Sequence, residues 1–218
     1  MNQGKFFVID GTDGSGKETQ TKLLLARMRR EGYTVETVSF PQYGKKSAGP
    51  TEEYLAGKYG PSDRVGPKPS SVFYAVDRYD ASHDIRAWLE SGRHVIADRY
   101  VSSNMGHQGG KIDDPEERRH FFEWNDELEH GIFGIPRPDL TIVLHVPAEV
   151  NARLMADRPK DIHEQDMTHL KRAERTYLEL VELFPGFRLI ECVDGSGILM
   201  SPERIHEMVW EIIRPMLG

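Results

Sequence analysis

Residues 5–32, KFFVIDGTDGSGKETQTKLLLARMRREG, constrain the fold more than any other stretch. An apolar run, Phe6-Phe7-Val8-Ile9, stops at Asp10, and a helical pattern begins near Lys17 and closes at Gly32. Gly11, Gly14 and Gly16 lie between them. A strand that is apolar on both faces must be covered on both faces, and a helix following directly on it supplies one cover. Such a strand–helix pair is the first half of a right-handed βαβ unit, so the chain must build a parallel sheet.

The rest of the chain repeats this rhythm. Lys5–Asp10, Thr34–Phe40, His94–Asp98, Leu140–Val146 and Phe187–Glu191 read as strands. Helices are expected over Lys17–Glu31, Ser71–Glu90, Pro115–His130, Ala148–Asp157 and Met167–Phe184, and after Ser201-Pro202. The last carries Ile205, Met208, Val209, Ile212 and Met216 on one face. The expectation is an α/β fold: one five-stranded parallel sheet with helices on both faces, in a single domain over residues 1–218. Ligands of such sheets bind beyond the carboxyl ends of the strands. Two stretches break the rhythm, Gln42–Pro69 and Arg158–Asp166, and both read either as mobile covers over a site or as ordinary surface loops.

A formal net charge of −7 argues against a nucleic-acid partner or a membrane-surface binder, both of which call for a basic excess. It leaves room for a small anion in a local cluster of Arg and Lys. No run is apolar enough to span a bilayer, and the N-terminal apolar run is too short for a signal peptide. Cys192 is the only cysteine, so no internal disulfide forms, as suits the cytoplasm.

Gly11, four residues, Gly16 and Lys17 fit the phosphate-binding pattern G-x-x-x-x-G-K-[ST] up to its last letter. The strand before it and the helix after it are the context that pattern needs. Backbone N–H groups over residues 11–19 (Gly11, Thr12, Asp13, Gly14, Ser15, Gly16, Lys17, Glu18, Thr19) and the positive end of the helix are placed to hold the phosphate oxygens of a nucleotide, and Lys17 to reach the outer phosphates. Glu18 stands where the pattern wants a Mg²⁺-binding hydroxyl. It is either a first-turn acid or a metal ligand, and the first is favoured because a second anion there repels the triphosphate. Thr19 is better suited to a hydroxyl bond with a phosphate. Asp98 and Asp13 remain as carboxylates for Mg²⁺.

Asp-Arg-Tyr occurs twice. Asp98-Arg99-Tyr100 ends a strand and so lies at the crevice, where Arg99 clamps a phosphate; the plain alternative is a strand-end ion pair. Asp77-Arg78-Tyr79 lies within a helix, with Phe73 and Tyr74 a turn earlier. An aromatic four residues before an arginine shares its face and suits a base stacked on the ring, though core packing gives the same spacing.

Taken in order, DGTDGSGK, SFPQYGK, FYAVDRY, VIADRYVSSN with HQGGK, and an Arg-bearing segment near 153–166 resemble the thymidylate kinase family, from Phe6 to about Phe184. The resemblance implies a P-loop NTPase fold with a short lid at about 153–166, and transfer of the γ-phosphate of ATP to dTMP with Mg²⁺. It implies a homodimer, and an acceptor region over residues 40–110. It also implies that Asp13 meets the sugar hydroxyl and the metal–phosphate region, that Pro41 and Tyr43 border sugar and phosphate, and that Tyr74 or Phe73 stacks on thymine. Arg78 donates to the base, Asn104 bonds its edge, Arg99 holds the acceptor phosphate, and Gln108 lies with them. With Gly14 where some members carry arginine, Arg153, Arg158 and Lys160 supply the lid charge. His107 stands where many members have Tyr near C2′, and His145 where many have Asp. The alternatives are a kinase of another nucleoside monophosphate or of a deoxynucleoside, and a nucleotide-binding module without transfer activity.

Overall fold

The computed structural model describes residues 3–154 and 167–217. Five strands, β1 (Phe6–Gly11), β2 (Val35–Ser39), β3 (His94–Asp98), β4 (Leu140–His145) and β5 (Phe187–Glu191), form one parallel sheet in the order β2-β3-β1-β4-β5. β1 is central, and Ile9 pairs in register with Asp98 of β3. That register sets the loop leaving β1 beside the residues leaving β3, so Gly11–Lys17 and Asp98-Arg99 share one crevice. The helices are α1 (Lys17–Arg30), α2 (Gly49–Leu55), α3 (Ser62–Val65), α4 (Pro67–Glu90), α5 (Val101–Gly109), α6 (Pro115–Asp126), α7 (Ala148–Leu154), α8 (Met167–Leu183) and α9 (Pro202–Ile213).

Alternation along β1 divides the core. Phe6 and Val8 pack with Ala81, Ile85, Met105, Phe121 and Tyr177 on the face covered by α4, α5, α6 and α8. Phe7 and Ile9 pack with Leu24, Met28, Ile205, Val209 and Trp210 on the face covered by α1 and α9. All four β1 side chains are fully buried, each worth roughly 2–3 kcal/mol of transfer free energy.

Three elements differ from expectation. Residues 42–69, expected as a mobile cover or an ordinary surface loop, carry regular structure: a 3-10 turn, α2 and α3 lie there, with Thr51 and Tyr54 buried. Tyr54 packs on Phe73 and Tyr74, and Lys111 from the end of α5 donates to the Tyr54 hydroxyl (2.9 Å) and the Ser62 carbonyl (3.2 Å). These ties order the segment. α4 accordingly begins at Pro67, four residues before the expected Ser71. The segment VSSNMGHQG, where no helix was expected, is α5. It lacks a polar stripe because it is buried nearly all round, and a Cβ on Gly106 would lie 2.5 Å from the Tyr177 ring, so glycine is what lets α8 pack there. Finally, the expected helix Pro115–His130 changes to a π-helical turn over Glu127–Ile132, which turns Glu129 wholly into the interior.

Candidate active site

The phosphate loop turns from β1 through Ser15, whose N–H donates to the Thr12 carbonyl at 3.2 Å, and enters α1 through Gly16 at φ 91°, a left-handed conformation that glycine adopts without strain. Lys17 is buried and donates to the Thr12 carbonyl at 2.8 Å. Burial, and then the charge of Arg99, pull its ammonium down to about 8. Asn151 of α7, fully buried, holds the loop from the other side: its amide donates to Thr12 Oγ1 at 3.0 Å and to the Asp13 carbonyl. Ser15 Oγ is buried without a hydrogen-bond partner among the described residues.

Beneath the loop, Asp10 is buried and accepts from the Gly11 N–H, Ser102, Ser103 and the Tyr177 hydroxyl. One carboxylate thereby joins β1, the start of α5 and the middle of α8. Above it, Asp13 pairs with Arg99, and Lys17 Nζ lies 3.9 Å from it. Burial alone would raise the Asp13 carboxyl, but Arg99 first, with a smaller contribution from Lys17, holds it well below the usual carboxylate range. Arg99 is the sole non-glycine residue at positive φ (65°) among those described, a strain that its side-chain ties must offset. Asp98 is half-buried; its carbonyl accepts from the Phe40 N–H, and its carboxylate has no hydrogen bond among the described residues. Burial pushes its carboxyl up, and Lys17 and Arg99 pull it down in part.

A pocket with about 550 Å³ of empty space opens from this corner. Asp13, Arg99 and His107 line one part of it, and Phe40, Pro41, Tyr43, Tyr74, Arg78, Asn104 and Gln108 line the rest. The structure therefore brings together the expected acceptor residues with one exception: Phe73 is absent from the lining. It packs on Tyr59 (ring centroids 5.3 Å apart) and on Tyr54 (6.1 Å). The choice between the two rings, open in the sequence, falls on Tyr74 as the ring that meets the pocket.

Arg78 is not a free donor. Its Nε and Nη2 donate to the two oxygens of Glu129 at 2.5 and 2.8 Å, with both side chains buried. Asn104 Nδ2 also donates to Glu129 (3.1 Å) and to the Ser71 carbonyl (3.1 Å), which fixes the amide and leaves its Oδ1 unbonded among the described residues. Gln108 accepts from the Ser70 hydroxyl at 2.8 Å. The strand-end segment Phe40–Tyr43, with a cis Phe40–Pro41 peptide, is fastened through buried Asp77, whose carboxylate accepts from the Gln42 N–H (2.7 Å), Gln42 Nε2 (3.1 Å) and Ser47 (2.7 Å).

Other expected residues stand apart. Arg153 is exposed on α7 and donates to the Glu149 carbonyl of its own helix (3.2 Å), while Arg158 and Lys160 lie outside the described residues. Glu18 is exposed and pairs with Lys22 at 2.5 Å, and Thr19 is exposed beside it. His145 is remote from the pocket lining and bridges Glu174 (2.8 Å) and Glu191 (2.6 Å). Burial opposes its charge, but the two carboxylates outweigh that and raise its affinity for a proton. Sequence reasoning missed Asp10, Asp77, Glu129, Asn151 and Tyr177. Asp10 carried a signal, a carboxylate closing an apolar strand; the others are joined to the site only by the fold.

A family model for thymidylate kinase matches residues 9–194. The chain is 32% identical over 194 residues to a probable thymidylate kinase of Thermococcus gammatolerans, covering 86% of this chain and 88% of that protein. It is 31% identical over 185 residues to the thymidylate kinase of Mycobacterium tuberculosis, covering 79% and 83%. The solved structure of thymidylate kinase from Candida albicans matches with a TM-score of 0.76 at 23% identity, covering 98% of this chain and 92% of that one, a likeness of fold.

Proposed function

The chain belongs to the thymidylate kinase family, and from that membership we infer that it transfers the γ-phosphate of ATP to dTMP, giving dTDP. The observation that carries the residue roles is a single pocket with a charge clamp, Asp13–Arg99, in one part and a buried Arg78–Glu129 pair beside Tyr74 in another. Those are the two things a nucleoside monophosphate presents, a dianion and a flat base with polar edges.

In this reading Tyr74 stacks on thymine. Arg78, its orientation set by Glu129, donates from its remaining nitrogen to the base, and the Asn104 Oδ1 accepts from the base N–H. Arg99 takes the acceptor phosphate, His107 stands beside the sugar, and Pro41, Tyr43 and Gln108 close the remaining sides. Gly11–Thr19 hold the phosphates of ATP with Lys17. The acceptor oxygen belongs to a phosphate already ionised near neutrality, so no general base is required and catalysis is alignment plus charge neutralisation. Arg153, Arg158 and Lys160, carried on the segment about 153–166, add positive charge when that segment closes over the donor.

The residues fit Mg²⁺ of the kind that keeps most of its water. Asp98 is a half-buried carboxylate with no competing hydrogen bond, whereas Asp13 is committed to Arg99 and Glu18 to Lys22. Asp98 would hold the ion, directly or through water, and the ion would neutralise charge on the donor phosphates. Among the described residues no cluster of three or more acidic, His or Cys side chains is arranged for a metal, and Asp98 would share the ion with the donor nucleotide.

Residues 1–218 act as one kinase domain in the cytoplasm, with neither nucleic acid nor membrane as partner. No helix among the described residues is long and apolar enough to cross a membrane. Exposed Val76 and Tyr79 on α4 favour a homodimer packed on that helix. Arg99→Ala tests the assignment: kcat/KM for dTMP should fall by about 10²–10⁴ with KM for ATP little changed, as for loss of an aligned electrostatic group. A loss of tenfold or less moves the acceptor phosphate to another residue.

A further inference from the structure

His169 has no role in the site as described so far, yet it is linked through His107 to Arg99. It lies in the first turn of α8, half-buried, its ring nearly parallel to that of His107 (centroids 5.6 Å, planes 15° apart) and its Nε2 3.3 Å from His107 Nδ1. The other nitrogen of His107, Nε2, is 3.3 Å from Arg99 Nη1. The Tyr177 ring stands edge-on to His107 at 5.7 Å and confines it.

The donors and acceptors in this chain are not interchangeable. A guanidinium nitrogen only donates, so His107 Nε2 must be an acceptor. A neutral imidazole with its lone pair on Nε2 carries its hydrogen on Nδ1, and that hydrogen points at His169. His169 Nε2 must then accept in turn. With the other tautomer of His107, an N–H would face the N–H of Arg99 across 3.3 Å. Arg99 itself sits at φ 65° with one terminal nitrogen on Asp13 and the other on His107, so these two ties set where the guanidinium lies.

We propose that His169 is a positioning residue for dTMP phosphorylation: by accepting from His107 Nδ1 it holds the His107 ring with Nε2 toward Arg99, and His107 so held places Arg99 for the acceptor phosphate. The inference rests on the reading of Arg99 as the phosphate clamp. It makes α8, the helix that follows the Arg-bearing segment 153–166, a structural support of the acceptor side as well.

Two substitutions separate a hydrogen-bonding role from a packing role. His169→Leu fills the space but cannot accept, and it should raise KM for dTMP about 3- to 10-fold, the size of one net hydrogen bond, leaving KM for ATP within about twofold. His169→Gln presents an amide oxygen to the same hydrogen and should stay within about twofold of the parent in both constants. In a His107→Phe background, where neither bond exists, His169→Leu should add nothing further. Thermal melting of each variant reports folding. Leu and Gln variants that behave alike, both normal or both impaired, overturn the proposal, as does a full effect of His169→Leu in the His107→Phe background. If the parent chain turns over dTMP and only the His169 variants are flat, this inference alone fails. If the parent does not phosphorylate dTMP, the functional reading fails and this inference with it.

Discussion

Glu129→Gln, although conservative in shape, should be strongly destabilising. The carboxylate is fully buried and opposes a guanidinium that is also buried, through bonds of 2.5 and 2.8 Å. Asn104 and Asn125 donate to the same carboxylate at 3.1 and 3.3 Å. An amide in its place keeps one acceptor but turns an N–H toward donors and leaves Arg78 with no counter-charge. Burial would favour loss of the Arg78 proton, and Glu129 more than offsets this, so the guanidinium is held charged. Stranding one member of such a pair costs about 3–5 kcal/mol, against a total stability of roughly 5–15 kcal/mol. Urea unfolding followed by circular dichroism, with the slope unchanged, reads that difference directly. Replacing both members by apolar side chains, Arg78→Met with Glu129→Leu, should recover most of the loss, to within about 2 kcal/mol of the parent, because no buried charge is left unpaired. The same double variant should lose its preference for thymine over other bases, since no donor remains at the base edge. Stability and selectivity would thus part company. A cost under about 1 kcal/mol for Glu129→Gln, or a double variant as unstable as the single, refutes the electrostatic argument and leaves packing as the reason for the pair.

Three further outcomes are expected. Tyr74→Ala should raise KM for dTMP by the equivalent of about 1–3 kcal/mol, one base–aromatic stack, while Tyr74→Phe is nearly silent; steady-state kinetics that show the larger effect for Phe73→Ala in a folded protein reverse the choice of ring. Because the Lys17 ammonium is pulled down to about 8 in the nucleotide-free chain, it is charged below that pH and lost above it, so kcat/KM for ATP should fall as pH rises through about 8. Lys17→Arg, always charged, should flatten that limb of the pH profile even at lower activity, and an unchanged limb assigns it to another group. Activity titrated against free Mg²⁺ should shift strongly for Asp98→Asn and little for Glu18→Gln; a shift confined to Glu18→Gln makes the glutamate the ligand.

Legibility in the sequence followed the range of the interaction. The central strands β1, β3 and β4 were readable as short apolar runs covered on both faces, the partly exposed edge strands β2 and β5 from their place in the strand–helix rhythm, and the phosphate loop because strand, glycines, Lys17 and helix are contiguous. The acceptor pocket was readable in its lining but not in its support. Tyr74 and Arg78 share a face by spacing alone, whereas Glu129 comes 51 residues after Arg78 and sits in ELEHGI, which reads as an exposed helix end. Only a π-helical turn makes it an interior residue, and no local preference announces one. α5 was invisible for the opposite reason: it is buried around its circumference, so it has no amphipathic period, and its glycines, which look like loop residues, are there to admit Tyr177 and Phe122. Residues 42–69 looked irregular by composition, yet Tyr54 and Lys111 order them through tertiary contacts that composition does not encode.

The central claim is that one pocket selects a thymine nucleotide as phosphoryl acceptor. ADP release from ATP, coupled to NADH oxidation, should be followed with dTMP, dUMP, UMP, dCMP, dAMP, dGMP and thymidine at equal concentration. The account predicts the highest kcat/KM for dTMP, weaker turnover of UMP than of dUMP with His107 beside the sugar, and none of thymidine, which has no phosphate for Arg99 to hold. Preference for a purine or cytosine nucleotide, or turnover of thymidine above that of dTMP, would contradict it.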